Sequence, residues 1–332
     1  MANLTTTSMS DSIKVLYEKR LLMRALPRLL HGRWAKHATL NKWGSMELRK
    51  FSALSAVTSP LAEGSTPGEH DTPSITTITL DPSYYGCYII YTDVLEMEEY
   101  DSTISETSGI LGEQAGLSID TIIRNALIAG ATAAYSGGVS AVDSLDSPAH
   151  DISYKDIVKT VFTLQASNAL PLDGGRFIML VHPHTLATLF NDATFVDMFI
   201  QGSQEELKQG KMGTIMNCDI YCTSNAYEGA DTGASSTTDV YHALFIGAEA
   251  FGTCGMAGID PKNVDSAGAM EYTMTGKPVK PVEIIVKGTD SGGVENALNQ
   301  RGSIGWKASN DTEILNSAFI IDLNHTTIYS DD

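Results

Sequence analysis

The pattern of apolar and polar positions changes period several times along the chain. Residues 1–12 are polar and aperiodic, and are predicted to be unstructured when free. Ile13, Leu16, Tyr17 and Leu21 recur at helical spacing with Lys and Arg opposite; Asp11 or Ser12 caps that helix and Pro27 kinks or ends it. Residues 46–54 alternate as a strand. Residues 74–92, rich in Ile, Thr and Tyr, have strand composition. Between them, residues 57–73 carry Pro60, Pro67, Pro73, Gly64 and Gly68, a connection far longer than the usual hairpin loop of about 2–5 residues. The expected result is a two-stranded finger with a mobile tip. Such a ribbon is marginal in water on its own, so it needs a surface to lie on, either a partner's or that of its own body.

A helix is predicted from Asp101 or Ser102 to about Tyr135, its apolar face formed by Leu111, Ala115, Ile119, Ile122, Ile123, Ala126 and Leu127. Gly109, Gly112 and Gly116 each weaken its first half by roughly 1 kcal/mol relative to Ala, so bending or fraying is expected there, with Gly137-Gly138 as the stop. Beyond Pro148, residues 153–166 read as an amphipathic helix with Ile157, Val161 and Leu164 inward. Residues 177–181 read as a buried strand, and His182-Pro183 opens a short helix over 185–191. Further strands are expected at 215–223, 240–246, 283–287, 303–308 and 319–329. The Gly/Ser/Thr-rich stretch 229–238 reads as a surface loop. Strands in short groups with helices between them indicate an α+β fold.

Charge changes the picture. The net charge is −18, yet residues 1–50 hold ten Lys/Arg against three acids, +7, and the remainder carries −25. A basic arm on an acidic body has three readings: contact with nucleic acid, contact with the acidic body of a neighbouring copy, or an amphipathic helix with a solvated face. Trp34 and Trp43 in this arm either fold back on the chain's own core or dock on another subunit. No secretory leader pattern and no apolar run of membrane-span length is seen, so a soluble protein made in the cytoplasm is expected. The four cysteines (Cys87, Cys218, Cys222, Cys254) are scattered and read as buried free thiols.

Signatures of chemistry are lacking. Gly276-Lys277 has no upstream phosphate-loop glycine. Gly252-Thr-Cys-Gly-Met-Ala-Gly258 does not lead into a helix. Cys218-x-x-x-Cys222 has no second ligand pair. His182 and His184 flank a proline and read as helix-start packing rather than chelation. Glu96, Glu98, Glu99 and Asp101 read as a solvated, dipole-favourable helix start rather than a cation site. No catalytic residue, cofactor site or metal site is assigned.

The order of elements, and strings spread over nearly the whole chain, resemble the major capsid proteins of tailed bacteriophages with the Hong Kong 97 phage fold, in the branch typified by phage N-four. The strings are Pro60-Leu-Ala-Glu-Gly-Ser-Thr-Pro67, Tyr85-Gly86 with Ile90-Tyr-Thr-Asp93, and Leu111-Gly-Glu-Gln-Ala115 with Ile119-Asp120. Further along come Val181-His-Pro183 with Leu189 and Phe195, and Asn299-Gln-Arg-Gly-Ser-Ile-Gly-Trp-Lys307 with Ile314-Leu-Asn316. The resemblance implies an N-terminal arm over 1–45, an extended loop over 46–92, and a peripheral domain with a spine helix over 93–149. It further implies an axial domain over 150–255 and a return to the peripheral domain over 256–332. It also implies hexamers and pentamers closing an icosahedral shell around double-stranded DNA in the virion, assembled in the host bacterial cytoplasm. Scaffolding, portal and decoration proteins would be further partners, with only non-specific contact to the packaged DNA and no membrane. No lysine–asparagine cross-link pair can be matched. The alternatives are an encapsulin-like shell without a genome and, more distantly, an enzyme with a lid over residues 55–75.

Overall fold

The computed structural model describes residues 29–37, 46–94 (except 53, 57, 59, 61–62 and 65–71), 103–196 (except 173), 211–255 (except 216 and 235–236), 272–288 (except 275–276 and 280–281), 298 and 300–330. The predicted helix over 13–27, Trp43 and the acidic run Glu96–Asp101 lie outside these residues.

In chain order the strands are β1 (Lys36–His37), β2 (Met46–Phe51), β3 (Ile75–Leu80), β4 (Ser83–Thr92), β5 (Thr132–Tyr135), β6 (Phe177–Val181), β7 (Lys211–Ile215) and β8 (Cys218–Cys222). They continue with β9 (Glu228–Gly229), β10 (Val240–Ile246), β11 (Phe251–Gly255), β12 (Tyr272–Met274), β13 (Lys277–Val279), β14 (Val282–Lys287), β15 (Arg301–Ile314) and β16 (Ile320–His325). The helices are α1 (Thr103–Gly130), α2 (Tyr154–Ala166) and α3 (Pro183–Leu189).

A seven-stranded sheet has the order β5-β16-β10-β6-β8-β7, with β9 on β10. Alternation along its strands sends side chains to two separate cores. Ile178, Leu180, Leu244, Ile246 and Ile320 meet the α1 stripe Leu111, Ala115, Ile119, Ile123 and Leu127. Phe177, Met179, Val181, Ala243, Phe245, Ile321 and Leu323 meet Ile157, Val161 and Leu164 of α2 and Leu186 and Leu189 of α3. The sheet is therefore covered on both faces, which is why Phe177–Val181 is an unbroken apolar run. At the start of α2, the backbone N–H and hydroxyl of Ser153 both donate to the Asp156 carboxylate, at 3.1 and 2.7 Å.

The second sheet is built around β15, which pairs with β4 over ten residues (Ser83–Thr92 with Arg301–Asn310), with β14 and with β11; β1 adds to β11. Its inner face, with Ile304, Trp306, Ala308 and Ile284, packs on the opposite side of the α1 core. Trp306 also donates from Nε1 to Gln114 Oε1 of α1 at 3.2 Å.

Several expectations are corrected. Residues 74–92 are not one leg of the finger. β3 ends at Leu80, and after Asp81-Pro82 the chain re-enters the body as β4. α1 stops at Gly130 and is followed by β5, not continued to Tyr135. It runs unbroken through Gly109, Gly112 and Gly116, all three of which are buried. The strand expected at 303–308 extends to Ile314, because the polar run Ser309–Thr312 is buried in the sheet. Within the loop expected at 229–238, Thr238 is fully buried.

Candidate assembly surfaces

The finger is the β2–β3 hairpin, paired from Met46↔Leu80 to Phe51↔Ile75 and extended by Ser52 N–H donating to Ser74 O at 2.9 Å. Its base is anchored. Leu80 is fully buried, and the Asp81 N–H donates to Asp311 Oδ2 at 2.5 Å. Farther out its apolar side chains are exposed: Phe51, Leu54 and Ile75 are 63, 57 and 56% exposed. The intervening segment 55–73 carries Glu63, Glu69 and Asp71 and no Lys or Arg.

A second exposed surface is the outer face of the β4–β15–β14 sheet. Tyr84, Tyr88 and Ile90 of β4 stand exposed on it with Ile285 of β14. Gly86 and Gly305 form its floor. A Cβ on Gly86 would sit 2.6 Å from the Trp306 carbonyl oxygen, and one on Gly305 would sit 2.8 Å from that of Cys87, so a larger residue would push the strands apart. The result is an open groove of about 480 Å³, bordered by Lys287 and Lys307, with the Lys307 ammonium 4.0 Å from the centre of the Tyr84 ring.

The arm's described part, residues 29–37, is strapped to its own body. Asp120, fully buried on α1, accepts from the N–H groups of Leu30 and His31 through Oδ1. Its Oδ2 accepts from His31 Nδ1 and from Asn225 Nδ2, all four at 2.8 Å. Burial pushes the Asp120 carboxyl up, but its bonds to His31 and Asn225 and the His31 charge outweigh this and hold it below its ordinary value. The Arg124 guanidinium donates to Asn225 O at 3.0 Å and lies over the Tyr227 ring at 5.1 Å. Trp34 packs on the α1 core with its ring 4.9 Å from that of Tyr221, so this tryptophan folds back rather than docking elsewhere. Lys36 pairs with Glu249 at 2.7 Å on the surface. Sequence reasoning missed this clasp because its parts lie about 90 and 105 residues apart; the one local signal was a carboxylate inside an apolar helix stripe.

The residues weighed for chemistry are placed as follows. Of the glycine-rich run, Gly252–Gly255 belongs to β11 and pairs with β15, and Met256–Gly258 lie outside the described residues. Cys218 is buried, its thiol pushed up chiefly by burial. Cys222 is half-buried, Cys254 is pushed up to about 11 by burial and Asp311, and all four cysteines are free thiols. His182 is the N-cap of α3: its Nδ1 accepts from the His184 N–H at 3.3 Å. The two rings stand edge to face at 4.6 Å. Among the described residues, no three His, Cys, Asp or Glu side chains are grouped to hold a metal ion, and no helix is long and apolar enough to cross a membrane.

No family model matches the chain, and no curated protein matches it by sequence. Solved structures do match. The capsid of Ralstonia phage GP4 superposes with a TM-score of 0.66 at 11% identity, covering 90% of this chain and 88% of that one. The asymmetric unit of the cyanophage Pam1 capsid gives 0.59 at 13% identity with 93% of both chains covered. The head of Helicobacter pylori bacteriophage KHP40 gives 0.59 at 12% identity over 91 and 90%. The chain has the Hong Kong 97-type capsid fold. The likeness covers about nine-tenths of each chain. Among the described residues, the hairpin and the sheet groove both present exposed apolar side chains.

Proposed function

We propose that the chain is a major capsid protein: a structural subunit, not a catalyst, that assembles as hexamers and pentamers into an icosahedral phage head around double-stranded DNA. The observation that carries this reading is a capsid fold over nine-tenths of the chain, joined to a hairpin whose apolar side chains are exposed. Residues 1–45 serve as the arm and the hairpin as the extended loop. α1 is the spine of a peripheral domain completed by β14 and β15, and the seven-stranded sheet forms the core of an axial domain. The hairpin lies on a neighbouring copy, where burial of Phe51, Leu54 and Ile75 supplies the stability that a lone ribbon lacks. The acidic body, −25 outside residues 1–50, keeps the shell from clamping DNA non-specifically. The Lys36–Glu249 pair supports a protein contact, rather than DNA, for that part of the basic arm. Assembly takes place in the host cytoplasm, with scaffolding, portal and decoration proteins as further partners.

Electron microscopy of the purified chain tests this. Closed particles are expected, with nuclease-protected DNA when they form during infection. A monomer or small oligomer at all concentrations would sink the reading. Deleting residues 57–73 should leave the body folded by circular dichroism while abolishing particles.

A further inference from the structure

The first turn of α3 is held by imidazole nitrogens in an unusual role. His182 Nδ1 accepts from the His184 N–H at 3.3 Å. A backbone N–H can only donate, so this ring nitrogen must be unprotonated. One position along, Thr185 Oγ1 lies 3.0 Å from His325 Nε2. His325 Nδ1 contacts the Leu323 carbonyl at 3.1 Å, and a carbonyl can only accept; Nδ1 therefore carries the proton and Nε2 accepts from Thr185. His325 is fully buried. The His182 cap bond exists only while that ring is neutral; the Thr185–His325 contact outlasts protonation, because the threonine oxygen can accept from Nε2.

The surroundings oppose a second proton. Facing His182 are His184, Tyr241 of β10, 5.4 Å away by ring centres, and Glu228 of β9. The carboxylate is already engaged by the Tyr241 hydroxyl at 2.5 Å, and that hydroxyl lies 2.9 Å from His184 Nδ1. His184 also stacks on Tyr329 at 4.7 Å. Asp239 acts on Tyr241 from the start of β10, and His242 faces His325 with its own partner, Asp322, at 2.7 Å. Burial and the His184 charge push His182 down, with Glu228 opposing. Burial pushes His325 down to about 3, against the Leu323 carbonyl and with His242.

We propose that α3 carries an acid-sensitive cap: the neutral ring of His182 ties off its first turn, and protonation of that ring loosens the turn before the rest of the body opens. The proton count gives the sign. An opened α3 binds protons with the ordinary histidine value near 6.5, and the closed one binds them only at lower pH. Closure is therefore complete above about pH 6.5 and weakens steadily below it. At pH 5.0 a cap ring kept neutral in the closed state favours opening by up to about 30-fold. Opening lifts Leu186 and Leu189 from the core they share with α2, baring an apolar patch beside the exposed Phe190. This inference does not rest on the capsid reading.

Hydrogen–deuterium exchange of the full chain at pH 7.5 and 5.0, corrected for intrinsic rates, tests it. Residues 184–190 should exchange faster at the lower pH, by up to about 30-fold, while residues 154–166 of α2 hold their protection. His182→Asn keeps a neutral acceptor at the cap and should cut this acid response several-fold. Unchanged protection of 184–190, or an equal rise in α2, overturns the proposal from the wild-type data alone. A response in His182→Asn as large as the wild type's overturns it as well.

Discussion

Two β regions of this chain have opposite surroundings. β10 (Val-Tyr-His-Ala-Leu-Phe-Ile) is buried on both faces, with neighbours on either edge. The β2–β3 hairpin has six paired residues in each strand, no third strand among the described residues, and an end-to-base gradient from exposed Phe51 and Ile75 to buried Leu80. Residue type selected strand in both; what differs is who supplies the cover. The sheet is completed within one chain. In the proposed assembly the hairpin is half of an interface, and another surface meets its apolar residues.

That contrast can be broken by paired substitutions. Phe245→Ala, in the fully buried sheet, is expected to lower unfolding stability by about 3–5 kcal/mol, read by chemical denaturation of unassembled chain. Phe51→Ala should change that stability by less than about 0.5 kcal/mol yet reduce particle yield. Equal losses of stability would erase the distinction drawn here.

Asp120→Asn should cost about 3 kcal/mol, because it leaves His31 buried beside a weakened partner. Its pH signature is separate. The folded carboxyl lies below its ordinary value, so its contribution is whole above about pH 4 and is lost as pH falls through the folded value. Denaturation curves of Asp120→Asn should therefore lack this part of the wild type's acid limb. Asp156→Ala, which removes the acceptor for both Ser153 groups, should cost about 1 kcal/mol. Lys36→Ala should be nearly silent, within about 0.5 kcal/mol, since its pair with Glu249 is about half exposed on both sides. A larger loss would mean that the surface pair, rather than the Asp120 clasp, holds the arm.

Local pattern carried much of the fold. The stripe of α1, the inward residues of α2 and the strands at Phe177–Val181 and Val240–Ile246 followed from periodicity and composition, because burial on a defined face leaves that trace. The failures have one origin. Gly109, Gly112 and Gly116 suggested a bend by propensity, yet tertiary packing buries them in a continuous helix. The Ser309–Thr312 segment is polar, and only its neighbours on the sheet make it a strand. The alternation of β3 and β4 gave no sign that Asp81-Pro82 divides a projecting strand from a body strand. Of the surfaces, the finger was legible from its long Pro/Gly connection. The sheet groove was not, because Tyr84 and Tyr88 share it with Ile285 and Lys307 from the other end of the chain.

The ten-residue pairing of β4 with β15 has a mechanical meaning. A pull on the hairpin through β3 enters β4 at Ser83 and runs along the strand rather than across it. The ladder is then loaded in shear, with its bonds sharing the tension simultaneously, instead of being peeled apart one pair at a time. Beyond Asn310 the same β15 continues into its pairing with β11, so the tension passes into a second part of the sheet. In the proposed shell, pressure from within would pull on each subunit in this way, and the β4–β15 pairing would meet the pull as a tie rod rather than a hinge.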